Sequence, residues 1–203
     1  MTVEWIHRVA AALDRAVQDF DPDELAFLAL TGKIELTLRD RLAWETQGSW
    51  PSPPAFTARE WKKTDLAVIE NGQPIVLLEA KALYSFDAAN PVTLAKYESY
   101  THDDIAKARK LAVPETQIMV AVFMTHVAAP VPDHLDKIVK YRFGINKALA
   151  QFGARPLREF AVNRVESILR PVGPTKRVTP SPTGTAFDIP AQVDAWVTHA
   201  NAQ

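Results

Sequence analysis

Cysteine is absent from the 203-residue chain. This removes disulfide frameworks, thiolate zinc sites and cysteine nucleophiles, and it points to an intracellular, cytoplasmic home. Glycine is scarce at seven residues, and Thr31-Gly32-Lys33 lacks the leading glycine of a P-loop. A Gly-x-Ser-x-Gly nucleophile elbow is missing as well. No apolar run reaches membrane length, since the longest, Ile118 to Val131, is interrupted by Thr125 and His126 and ends in prolines. The N-terminal segment carries Glu4 and Asp14 in a helical pattern, not the apolar stretch and cleavage site of a signal peptide.

What is present is an ordinary globular composition, 47% apolar and 23% charged, enough for one domain with a real core. The net charge of -1 hides an asymmetry. Residues 137–177 hold ten Lys or Arg against Glu159 and Glu166, a net +8, and the remainder carries -9. Such a stretch suits a surface that meets phosphates, and equally a solvated helix face. Lys137, Lys140, Arg142, Lys147, Arg155 and Arg158 are the candidate nucleic-acid contacts.

Val3, Ile6, Val9, Leu13, Val17 and Phe20 recur at helical spacing and predict an amphipathic helix over 2–19. Asp21-Pro22-Asp23-Glu24 reads as a helix start, with Asp21 as N-cap and Glu24 as its capping-box partner. That helix is expected to run to about Glu45, loosened at Thr31-Gly32, and to stop before a Gly-Ser-Trp-Pro-Ser-Pro-Pro loop. A buried hairpin follows around Asn71-Gly72, then a helix over 92–112, the buried strand "QIMVAVFMTHV", and a helix from Asp133 to Phe152 ended by Gly153. Residues 156–170 suit helix or strand. Five prolines in 171–190 predict an extended arm, and Val193, Trp196, Val197 and Ala200 a short C-terminal helix. The expected organisation is thus a single domain over 1–170, with its core at about 20–125 and a basic helical region at 137–170, followed by an arm over 171–203.

The segment "KTDLAVIENGQPIVLLEAK", residues 63–81, places Asp65, Glu79 and Lys81 within otherwise apolar strands, where unpaired charge is costly. Glu79 and Lys81 share a face, being two apart on a strand. Whether Asp65 joins them depends on the turn. A two-residue loop at Asn71-Gly72 aligns Asp65 with Leu78 and sends Asp65 and Glu79 to opposite faces, whereas a three-residue loop through Gln73 sets Asp65 opposite Glu79. In the second case their Cβ atoms lie roughly 5 Å apart, and both carboxylates can hold one cation. Magnesium suits an all-oxygen site that keeps waters and borrows substrate oxygens, with manganese as substitute. Lys81 can then bind a phosphate oxygen or the attacking water. Glu35, beside the stripe of Leu38 and Leu42, is a fourth candidate. The competing reading is structural: Asp65 caps a strand end, Glu79 and Lys81 form an edge-strand salt bridge, and Glu35 is exposed.

Glu35 on an early helix, Asp65 on a strand, and Glu79-Ala80-Lys81 on the next strand followed by a helix resemble the PD-(D/E)xK nuclease superfamily over roughly residues 20–125. Thr64 stands where the family name has proline. The resemblance implies an α/β fold, with a central mixed sheet of four or five strands flanked by helices in a restriction-endonuclease-like core. It implies metal-dependent hydrolysis of DNA phosphodiesters. By residue, it implies that Asp65 and Glu79 ligate magnesium with the Ala80 carbonyl, that Lys81 positions water or stabilises the phosphorane, and that Glu35 holds metal-bound water. Double-stranded DNA is the expected partner, and a cleaver of both strands is expected to form a homodimer. The alternative function is a catalytically inactive nucleic-acid- or protein-binding module of the same fold.

A second match, Glu60-Trp61-Lys62, is set aside because no apolar strand leads into it. Glu98, His102 and Asp103 read as an exposed helix face. His126 and His134 lack ligand spacing.

Overall fold

The computed structural model describes residues 2–49 and 55–201, with side chains from Glu4. Of the loop expected at 48–54, Gly48 and Ser49 are helical and 50–54 lie outside the described residues. The described residues form seven helices and seven strands around one mixed sheet of order β1-β2-β3-β4-β7-β5, with β6 also paired to β7. The sheet is larger than the four or five strands expected.

Helix α1 (Thr2–Gln18) follows its apolar stripe. Asp21 caps α2 (Pro22–Thr31), its carboxylate accepting from the N–H groups of Asp23 at 2.9 Å and Glu24 at 3.1 Å. The single long helix expected to Glu45 is instead two, because the chain breaks at Gly32 and resumes as α3 (Glu35–Ser49). The break is closed by a buried hydroxyl. Tyr84 donates to the Ala29 carbonyl at 2.8 Å and lies 3.0 Å from that of Gly32, which serves carbonyls left open at the helix end.

The edge strand β1 (Phe56–Trp61) leads into Glu60-Trp61-Lys62, where no strand was expected. It pairs antiparallel with β2 (Thr64–Glu70), which pairs with β3 (Gln73–Tyr84). The β2–β3 turn has two residues, Asn71 and Gly72, both at positive φ, as a primed hairpin turn requires. Yet Leu66 faces Leu78, the register that was expected only from a three-residue loop. A bulge reconciles the two: Ile69 faces Pro74 and Val68 faces Val76, leaving Ile75 over.

Short α4 (Ser85–Ala89) and long α5 (Pro91–Leu111) carry the chain over to β4 (Gln117–Val127), which lies parallel to β3. A 3-10 turn (Asp133–Leu135) precedes α6 (Arg142–Phe152), so the helix expected from Asp133 begins later. The ambiguous 156–170 segment is helical, within α7 (Ala154–Leu169).

The last segment departs most from expectation. In place of an arm and a short helix, 171–201 supply β5 (Thr175–Arg177), β6 (Gly184–Ala186) and β7 (Ile189–His199). β7 lies antiparallel to β4 along nine paired residues. It is buried on both faces, so its apolar residues do not alternate, and Val193, Trp196, Val197 and Ala200 match a helical stripe by coincidence.

One face of the sheet (Leu66, Val68, Leu78, Phe123, Val197) packs against α1 and α3, and the other (Ala67, Leu77, Val120, Val122, Trp196) against α5 and α7. A third cluster joins α2 and α6 to the start of β7. Among the described residues, no helix is long and apolar enough to cross a membrane.

Candidate active site

β2 starts at Thr64, but β3 runs on to Tyr84 with β4 on one side and no described strand on the other. Backbone groups of alternate β3 residues point to that open edge and need partners. Each N–H there meets a carboxylate. Ala80 donates to Asp65 Oδ2 at 2.8 Å, Ala82 to Glu35 Oε2 at 2.9 Å and Tyr84 to Asp87 Oδ2 at 3.1 Å. In a ladder, a residue's N–H and C=O face the same neighbour, so the Ala80 carbonyl opens onto this edge too.

Side-chain alternation then sets the faces. Asp65 falls in step with Ala67 and Ile69, and Glu79 and Lys81 with Leu77 and Leu83, all toward α5. The bulge at Ile75 is what puts Asp65 and Glu79 on the same side. Glu79 is only 6% exposed. Burial first, then the adjacent Asp65 carboxylate, push its pKa up to about 8; Asp104 adds to this and Lys81 opposes it. A protonated Glu79 can share its hydrogen with Asp65, which relieves the repulsion of two acids on one spot.

Lys81 points to α5, where Asp104 ion-pairs with it and with Lys107, the latter at 2.7 Å. Burial disfavours the Lys81 charge, but Asp104, Glu35 and Asp65 outweigh it and raise the pKa. Asp104 itself is held below the usual carboxylate range: burial opposes this, and the two lysines prevail. Glu35 and Lys81 line a cleft of about 280 Å³ with Lys33, Tyr97, Tyr100 and Lys107. Lys96, on the same helix, is exposed and does not line the cleft.

Two further residues belong to this arrangement and were missed. Arg39, one helical turn after Glu35 and 5% exposed, brings Nη1 to 3.6 Å from Asp65 Oδ1 and 2.7 Å from Glu60 Oε1. Asp104 is the other. The signals were available, as Arg39 follows Glu35 at i+4 and Asp104 follows Tyr97 and Tyr100 on one face of α5. Glu60 of the discarded Glu-Trp-Lys match serves as a partner of Arg39.

The six basic candidates divide by type. Arg142 pairs with Asp133 and Asp136, Arg155 with Glu159, and Arg158 with Asp194. Lys137, Lys140 and Lys147 are exposed and make no ion pair among the described residues.

Ser85, His126 and Asp194 could be taken for a hydrolytic triad, with Ser85 Oγ 3.1 Å from His126 Nδ1. They are 3%, 4% and 0% exposed, so no substrate reaches them. Burial, then Arg158, push the His126 pKa down to about 4 against the pull of Asp194. The unfolded chain takes up a proton below about pH 6.5, while the folded protein resists until about pH 4. The contribution is complete above pH 6.5 and is lost on acidification. Denaturant melts should show about 2 kcal/mol less stability at pH 5 than at pH 7.5 from this group. Most of that difference should vanish in His126→Gln.

Among the described residues, no three of His, Cys, Asp and Glu gather closely enough to hold a metal by themselves. Asp65, Glu79 and the Ala80 carbonyl nonetheless offer an all-oxygen set, one acid buried and the other half-buried, whose nearest cations are Lys81 and Arg39. That fits magnesium, which keeps several waters and takes one or two protein carboxylates. No protein-family model, curated protein or solved structure matches the chain.

Proposed function

We infer that the chain is a metal-dependent nuclease of the restriction-endonuclease-like type, hydrolysing DNA phosphodiester bonds. The observation that carries this reading is the pairing of Asp65 with buried Glu79, beside Lys81, at the open edge of β3. Held by Asp65, Glu79 and the Ala80 carbonyl, magnesium or manganese supplies Lewis-acid polarisation of the phosphate and a more acidic water. Lys81 exchanges Asp104 for a non-bridging phosphate oxygen or for the attacking water, placing positive charge where negative charge builds up. Glu35 orients water from the N-terminus of α3. Lys107 holds Asp104 when Lys81 leaves it, and Arg39 fixes the second oxygen of Asp65. Cleavage of both strands would require two chains acting together.

Purified protein incubated with supercoiled plasmid should nick it with Mg²⁺ or Mn²⁺ and not with EDTA, and activity should disappear in Asp65→Asn and Lys81→Ala. Equal nicking in those variants would reject the assignment.

A specific observation favours a second reading. Asp65, Glu35 and Asp87 each satisfy a backbone N–H, and Lys81 is already neutralised by Asp104, so the carboxylates could serve only to close the sheet edge of a non-catalytic nucleic-acid- or protein-binding module. Inert protein that still retards DNA would establish that version.

A further inference from the structure

One face of α5 links the candidate active site to a second cleft. Thr93, Tyr97, Tyr100, Asp104 and Lys107 follow at helical spacing; the last four line the cleft around Lys81, and Thr93 lines a neighbouring cleft of about 410 Å³. Lys33 lines the first of these clefts; its Nζ lies 3.1 Å from Tyr97 Oη and 5.5 Å from the ring centre, within electrostatic range of the Asp87 carboxylate. Asp87 belongs to the second cleft, where its carboxylate accepts from the Tyr84 N–H.

The second cleft is built by close approach of α4 and α6. A side chain at Gly144 would come within 2.9 Å of the Phe86 ring, so only glycine lets the helices meet there. This approach sets Phe143 on the rim with 79% of its surface in water, the most exposed of the large apolar side chains among the described residues. One turn on, Lys147 lines the same cleft, and it and Lys140 are exposed without an ion-pair partner among the described residues. A bare aromatic ring one helical turn from an unpaired lysine in the same cleft, with Lys140 three residues before the ring in the chain, suits a ligand that is flat, apolar on its faces and anionic along its length.

We propose that the Phe143–Lys147 cleft is a binding site for single-stranded nucleic acid, with a base stacked on Phe143 and the neighbouring phosphates on Lys147 and Lys140, leading along α5 to Lys81. A duplex keeps its bases stacked inside and cannot offer one to Phe143, so the site selects single-stranded, frayed or flipped segments. The proposal rests on the reading of the chain as one that acts on nucleic acid.

The test is fluorescence anisotropy in EDTA with labelled dT and rU oligonucleotides and a blunt duplex, which separates binding from cleavage. Phe143→Ala should weaken single-strand binding about tenfold, as loss of one stacked base does, with duplex binding changed less than twofold. Phe143→Trp should restore affinity. Lys147→Ala should lower the salt slope for single strands by about 0.7. Equal dT and rU affinities assign recognition to base and phosphate, and a preference for rU adds the 2′-hydroxyl; either supports the site. Unchanged affinity in Phe143→Ala with a normal melting temperature, equal losses on duplex and single strand, or no single-strand binding by the wild type overturns it. Stacking without plasmid cleavage would remove the nuclease reading and keep this site, whereas cleavage with Phe143→Ala binding unaltered would do the reverse.

Discussion

Glu79→Gln is expected to lower Mg²⁺-dependent cleavage by about a thousandfold and, in the same protein, to raise stability in metal-free buffer. The first effect follows from removing one of two carboxylates that would hold the cation, a loss of about 4 kcal/mol of transition-state stabilisation. The second follows from geometry already in place. Glu79 is buried beside Asp65, near Asp104, with only Lys81 to offset the negative charge. An amide of the same shape has no charge to desolvate and can donate a hydrogen bond to Asp65. Relief of about 1–2 kcal/mol is expected, a rise of about 2–8 °C in melting temperature for a domain of this size. Added Mg²⁺ should stabilise the wild type and not the variant. Asp65→Asn should gain less stability, because Asp65 also faces Arg39 and accepts from Ala80. A Glu79→Gln protein that cleaves normally, or that melts well below the wild type, would show Glu79 to be a satisfied structural ion.

Much of the fold was legible wherever an apolar run was continuous or turn chemistry was strong. Asp21-Pro22 announced α2 because a capping carboxylate and a fixed φ act locally. The run from Gln117 to Val127 matched β4 end to end because its continuous apolar character suits a strand covered on both sides. β7 is covered on both sides too, but Gln192 and Asp194 interrupt its apolar run. Four prolines upstream of it, with Pro190 inside it, suggested an arm, when the chain in fact returns to complete the sheet. The α2–α3 break was equally illegible in strength, since it depends on Tyr84, a residue more than fifty positions away.

The charged residues of the candidate site were visible in the sequence, but the route by which they share a face was not. Asp65, Glu79 and Lys81 stood out as charges in apolar strands, and their register was argued through a three-residue loop. The chain keeps the two-residue turn that Asn71-Gly72 prefers and corrects the face by a bulge at Ile75. Bulges carry no fixed residue signature, so local reasoning could state the two outcomes but not choose the route. Arg39 and Asp104 share helix faces with Glu35 and Tyr97, a signal the sequence carries, but their pairing with Asp65 and Lys81 is set by tertiary packing. The basic stretch divides in the fold: Arg142, Arg155, Arg158 and Arg177 pair with carboxylates, Asp194 among them from outside the counted window, while Lys137, Lys140 and Lys147 make no ion pair among the described residues.

Asp194→Ala is the largest stability loss expected. Asp194 has no exposed surface and sits in the middle of β7, where Arg158 from α7 donates through Nε at 2.9 Å and Nη2 at 2.8 Å, and Arg177 from β5 through Nη2 at 2.5 Å. The Arg177 guanidinium also lies over the Trp196 ring at 5.5 Å. Removing the carboxylate leaves two cations side by side over an apolar sheet and opens a gap beneath them. Loss of one partner in a buried ion pair costs about 3 kcal/mol or more, a fall of roughly 6–12 °C in melting temperature. Arg158→Ala and Arg177→Ala should each cost roughly half as much, because the remaining arginine still neutralises Asp194. Little of the loss should be screened by salt, since the carboxylate is beyond the reach of mobile ions. Because the triad ties β5 to β7, Asp194→Ala should also speed proteolysis within 171–190 at temperatures where the core is intact. Equal melting of Asp194→Ala and wild type, or cleavage of both at the same rate, would show that backbone pairing alone holds this segment in the sheet.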